Sequence, residues 1–79
     1  MSETLNDFVA AEVRAEIARR CTPRDELAKA LDVSPATLGR RLAGDLPFTV
    51  NEVELVARFF DLPVSTFLIR QPGRERIPA

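Results

Sequence analysis

Apolar residues recur along most of the chain at intervals of three and four. This is the spacing of helices with one buried side, and no stretch alternates over the length of a strand. Leu5, Val9, Val13 and Ile17, joined by Phe8, predict a first helix over roughly residues 4–20. Thr4, with Asp7 three positions on, has the form of a capping box. The other faces of this helix carry Glu3, Asp7, Glu12 and Glu16, which turns much of it away from any anionic partner.

Thr22-Pro23-Arg24-Asp25 reads as a second helix start: a capping hydroxyl, a proline at the first helical position and an acid at the third. The helix it opens, roughly 23–31, buries Leu27, Ala28 and Leu31. Ala28 is small enough for the next helix to cross closely. Asp32 stands where a glycine often ends a helix, and aspartate is among the few other residues that tolerate the left-handed conformation. Ser34 then caps a third helix, Pro35 opens it, and Gly44 ends it after Ala43. The turn of Asp32 and Val33 is so short that the two helices meet at a sharp angle, with Val33, Leu38 and Leu42 in the corner. That is helix-turn-helix geometry. At about 100° per residue, Leu38 and Leu42 fall together on the third helix, while Ala36, Arg40 and Ala43 fall opposite them.

Thr49 and Glu52 form a second capping box, with Phe48 placed to staple onto Val53. The fourth helix, roughly 50–60, is apolar around much of its circumference and is the expected centre of the core. Asp61 ends it as Asp32 ends the second. Beyond Leu62-Pro63 a short fifth helix, roughly 64–69, presents Val64, Phe67, Leu68 and Ile69. The reading is an all-α, compact five-helix domain over residues 1–69. Residues 70–79, with two prolines and a glycine, are expected to be a flexible C-terminal tail.

Composition narrows the function classes. Seventy-nine residues give one small domain, which buries only about 60% of its unfolded surface. One cysteine makes no internal disulfide, which fits a reducing cytoplasm. The polar, acidic start is unlike a signal peptide, and no apolar run approaches the ~20 residues of a membrane span, so a cytoplasmic location without membrane contact is expected. No histidine is present for acid-base work near neutral pH. No glycine-rich phosphate loop or metal-ligand cluster accompanies it, so no catalytic residues, metal, cofactor or small-molecule ligand are expected, and the chain does not read as an enzyme. The net charge of −1 argues against a nucleic-acid partner until its distribution is considered. Residues 19–44 carry six basic against three acidic side chains, between acidic flanks. Binding responds to the field within a Debye length of roughly 8–10 Å more than to the total.

The order and spacing of several fragments resemble the Cro and phage-repressor-like (XRE-type) helix-turn-helix regulators. These fragments are Glu26-Leu27-Ala28-Lys29-Ala30-Leu31, then Val33-Ser34-Pro35-Ala36-Thr37-Leu38, then Arg40-Arg41-Leu42-Ala43-Gly44. The likeness continues through the Thr49–Glu52 cap, Leu55-Val56-Ala57 and Leu62-Pro63-Val64, and so covers about residues 4–69. It implies a lambda-repressor-like fold and a sequence-specific, double-stranded DNA-binding transcriptional regulator, a phage or bacterial repressor that binds its operator as a dimer. The third helix would enter the major groove. Carried over position by position, Pro35, Ala36, Thr37 and Arg40 would meet base edges, and Arg24, Ser34, Arg41 and Thr49 the sugar-phosphate backbone.

Arginine at the place of Arg40 has the reach to bond both O6 and N7 of a guanine. Arg41 departs from the family pattern, which prefers an apolar residue there, and so either reaches sideways to phosphate or pairs with an acid on a neighbouring helix. Asp45 stands where many relatives carry a base, which weakens backbone affinity. Arg19 and Arg20 serve equally well to neutralise the end of the first helix or to touch phosphate. Phe67, Leu68 and Ile69 exceed what so small a core needs; some have Phe59 and Phe60 to pack on, and together with Val64 they are expected to form a two-fold homodimer interface that sets two reading helices about 34 Å apart. The alternative is a protein-interaction module of antitoxin or regulator-partner type, which keeps the fold, binds a partner through that apolar end and has weak or no DNA binding.

Overall fold

A computed structural model describes residues 4–69. Among these residues there are five helices, α1 (Leu5–Arg20), α2 (Arg24–Leu31), α3 (Pro35–Ala43), α4 (Val50–Phe60) and α5 (Ser65–Leu68), and no strand. The tail expected over residues 70–79 lies outside the described residues.

Local chemistry starts three of the helices as their sequences predict. At α1, the Asp7 amide donates to Thr4 Oγ1 at 3.0 Å and the Thr4 amide to Asp7 Oδ2 at 3.3 Å. At α4, the Glu52 amide donates to Thr49 Oγ1 at 3.1 Å and the Thr49 amide to Glu52 Oε1 at 2.9 Å. At α3, Ser34 Oγ accepts the Thr37 amide at 3.1 Å, with Pro35 in the first turn. The second helix differs. Pro23, not Thr22, precedes α2, and no side chain caps it. The Thr22 amide instead donates to the Ile17 carbonyl at 3.0 Å, which makes Thr22 part of the end of α1.

That end is one of four built alike. Cys21, Asp32, Gly44 and Asp61 each follow a helix in the left-handed conformation, at φ of 52°, 59°, 89° and 58°. Each donates its amide three residues back, and the next residue's amide reaches five back: Thr22 to Ile17, Val33 to Ala28, Asp45 to Arg40 and Leu62 to Ala57, all at 2.9–3.0 Å. The pattern closes otherwise orphaned carbonyls and reverses the chain within two residues. Repeating it keeps every connection short. Of the four left-handed residues only one is glycine, so the other three hold a conformation that costs about 1 kcal/mol or more with a side chain present.

The core gathers Val9 and Val13 from α1, Leu27, Ala28 and Leu31 from α2, Leu38 and Leu42 from α3, Val53, Val56, Ala57 and Phe60 from α4, and Phe67 from α5. Two expectations fail here. Leu5 is exposed. A four-residue step overshoots the helical repeat by about 40°, so a stripe of four such residues turns by roughly 120° from end to end. With Val9 and Val13 facing inward, Leu5 is carried out to the side and Ala10 takes the interior. Glu16 is not on a solvent face either; it is 5% exposed. Its carboxylate is held by Arg19 and by Arg20, the latter at 3.1 Å. Arg20 also donates to the Phe60 carbonyl at 2.8 Å and lies 5.2 Å from the centre of the Phe60 ring. These contacts fasten the end of α1 to the end of α4. Packing of α1 against α3, α4 and α5, and of α2 against α3 and α4, leaves the outward sides of α2 and α3 uncovered by the other described helices.

Candidate nucleic-acid interface

Leu38 and Leu42 are 0% and 1% exposed, and they pin α3 to the core along one side. Their burial forces the opposite side outward. Pro35, Ala36, Arg40 and Ala43 are exposed, and Thr37 is half-buried. The Ser34 hydroxyl donates to Thr37 Oγ1 at 3.0 Å while accepting the Thr37 amide. Ser34 is therefore engaged within its own helix, while the Thr37 hydroxyl donates to no group among the described residues. Gly39, on the flank between Pro35 and Ala43, has nothing within 4 Å of where a Cβ would sit. The fold itself does not ask for a glycine there. Its effect is to keep the helix backbone low beside Arg40, at a helix-stability cost of about 0.5–1 kcal/mol relative to alanine.

The charges of residues 19–44 separate into two sets. Arg19 and Arg20 are bound to Glu16 at the α1–α4 junction, away from α3. Arg41 is only 16% exposed at its side chain, donates to the Pro47 carbonyl, and has its Nε 3.1 Å from Glu52 Oε1. That Nε makes no hydrogen bond, so its contact with Glu52 is a charge pair off the N–H axis. Of the two roles the sequence leaves open for Arg41, the structure shows the pairing with an acid on a neighbouring helix. About 100° of helical rotation separates it from Arg40 and turns it toward α4. What remains are Arg24, Lys29 and Arg40, all exposed. They are the three cationic side chains among the described residues with no acid or carbonyl partner, the other five being bound by Glu16, Glu52, Glu54 or the carbonyls of Leu42, Pro47 and Phe60. All three lie on the helix-turn-helix.

The start of α2 joins them. With no side-chain cap, its first amides, at Arg24 and Asp25, have no acceptor among the described residues, and they lie at the positive end of the helix dipole. Asp25 and Glu26 share that first turn, so an anion arriving there also meets carboxylates. The net field over the α2–α3 face is consequently weaker than a count of basic residues suggests.

The connection between α3 and α4 leads into the capping box that its sequence predicts. Thr49 is exposed, but its hydroxyl and amide are both used in its cap with Glu52. The Phe48 amide donates to Asn6 Oδ1 of α1 at 3.2 Å. At the far end of the molecule, Val64, Leu68 and Ile69 are exposed at 37%, 38% and 59%, but Phe67 is 0% exposed. Phe67 packs on Phe60 with ring centres 6.5 Å apart, and so is core, not interface as its position suggested. A four-residue helix aims one side inward, and Thr66 and Phe67 occupy that side. Among the described residues no group of His, Cys, Asp or Glu is placed to hold a metal ion, and no helix is long and apolar enough to cross a membrane.

A capped helix behind a two-residue turn, pinned by leucines and carrying Arg40 outward, gives the domain a helix-turn-helix. The chain belongs to the BetR domain family, whose model matches residues 4–77. No curated protein and no solved structure shows a match to it.

Proposed function

We propose that this protein is a sequence-specific, double-stranded DNA-binding transcriptional regulator of Cro type. It acts in the cytoplasm as a repressor, without enzymatic activity or cofactor, and binds a palindromic operator as a homodimer. One observation carries this reading: the described cations left without partners, Arg24, Lys29 and Arg40, all belong to the helix-turn-helix. An exposed guanidinium with no internal partner, set among Pro35, Ala36, Gly39 and Ala43, has the reach and clearance for O6 and N7 of a guanine. Thr37 is placed to offer a hydroxyl to a neighbouring base edge. Arg24 and Lys29, with the open amides of α2, suit phosphate. The exposed apolar residues Val64, Leu68 and Ile69 support a two-fold contact between copies.

Selection of bound duplexes from a randomised DNA pool, followed by salt titration on the selected operator, tests the reading. A dimer with Arg24 and Lys29 on phosphate in each half gives a slope of log K against log salt of about −4. Neither sequence preference nor salt slope would replace the DNA reading with that of a protein-interaction module, for which Val64, Leu68 and Ile69 are the available surface.

A further inference from the structure

The chain between α3 and α4 is held amide by amide. Gly44 donates to the Arg41 carbonyl at 3.2 Å, and Asp45 and Leu46 both donate to the Arg40 carbonyl, at 2.9 and 3.3 Å. Pro47 has no N–H. Phe48 donates to Asn6 and Thr49 to Glu52. No backbone amide from Gly44 to Thr49 is left for an outside acceptor. The acceptors come from three helices, α1, α3 and α4, so the segment is a junction more than a loop.

Arg41 sits at the centre of this junction. Its guanidinium reaches the Pro47 carbonyl and Glu52 at once. The Glu52 oxygen it faces, Oε1, is the same atom that accepts the Thr49 amide. A single carboxylate oxygen, on a residue 8% exposed, thus closes the cap of α4 and receives the charge of an arginine from α3. For Arg41 to reach phosphate it would have to leave both partners and strand that carboxylate in a nearly dry place, which is costly.

The geometry points to Arg41 as a positioning residue. It sets the angle at which the end of α3 meets the start of α4, and through that angle the pose of its neighbour Arg40, and it makes no phosphate contact itself. This role rests on the DNA reading above. It also explains why arginine stands where an apolar residue would complete the α3 stripe: Leu42 fills the core and position 41 bridges the junction.

The test uses the full chain and the operator duplex obtained by selection. Arg41→Met removes the bridge, and the double variant Arg41→Met/Glu52→Gln removes both charges while keeping a side chain able to accept the Thr49 amide, so that no buried carboxylate is stranded. Both variants are expected to bind the operator roughly tenfold more weakly with an unchanged salt slope, whereas Arg24→Ala flattens the slope by about one unit. The Phe48 and Thr49 amides should exchange with solvent at least about tenfold faster in the folded double variant, as expected when a local closure is lost. Arg41→Lys should not restore affinity, because an ammonium cannot span both acceptors in fixed geometry.

A slope flattened by about one unit in Arg41→Met, restored by Arg41→Lys, would place Arg41 on phosphate and overturn the role. So would wild-type affinity in the folded double variant. A wild-type chain with neither sequence preference nor salt slope removes the DNA reading and this role together, and is distinguishable from the other outcomes because no variant is needed to see it.

Discussion

Where the end of α1 meets the end of α4, the cations are bonded inside the molecule: Arg20 holds the Glu16 carboxylate, the Phe60 carbonyl and the Phe60 ring. One turn further along the sequence, Arg24 opens α2 with no partner, and Arg40 stands equally alone on α3. Both regions are arginine-rich, and only one presents charge to the outside. What separates them is whether a buried acceptor lies within reach. Glu16 and the Phe60 carbonyl are fixed by packing, so Arg20 is drawn onto them. Nothing comparable faces Arg24 or Arg40. A run of basic residues therefore says little about a surface until the internal acceptors are known.

The comparison breaks most visibly at Phe67. If the α1–α4–α5 junction is core, Phe67→Ala should lower unfolding free energy by about 3–5 kcal/mol in a denaturant titration. A loss below about 1 kcal/mol would return that side chain to the surface. Arg40→Ala makes the opposite demand on the other region. Operator binding should weaken by about 1–3 kcal/mol, with relaxed preference at one base pair, while thermal unfolding stays within about 0.5 kcal/mol of the parent. Arg20→Met sharpens the contrast between the two arginine sets. Its side chain is 43% exposed and Arg19 still holds Glu16, so the loss of its bonds to the Glu16 carboxylate and the Phe60 carbonyl and of its ring contact should cost only about 1–2 kcal/mol of stability, and the salt slope of DNA binding should not move. The smallest effect belongs to the helix ends. Asp61→Gly removes the side chain from a left-handed residue and should stabilise the fold by about 0.5–1 kcal/mol, read as a small rise in melting temperature.

Much of this architecture is legible in the sequence because it is decided within a few residues. Thr4 with Asp7, Ser34 with Pro35, Thr49 with Glu52, and Gly44 each act on amides or carbonyls of their own turn. The left-handed Asp32 and Asp61 follow from the same local logic. Cys21 does not, since nothing in its side chain announces the conformation; the four-fold repetition of one helix ending does. Thr22 misleads because two helix ends compete for it and α1 takes its amide. The burial of Glu16, the choice of Phe67 as the core residue among the apolar positions of the last helix, and the identity of Arg41's acid partner lie beyond sequence reach for another reason. Their neighbours, Arg20 with Phe60, Phe60 again, and Pro47 with Glu52, are set by how helices cross. Of the outward face of α3, Arg40 and its small neighbours are evident from periodicity alone. That Arg41 is not their companion is a fact of tertiary structure.

The closed set of amides between α3 and α4 also bears on the thermodynamics of association. A connecting segment already ordered in the free protein has little conformational entropy left to lose on binding. Its heat-capacity signature should reflect buried surface without a coupled-folding component, and encounter rates should follow ionic strength rather than the time needed to fold a loop onto the partner.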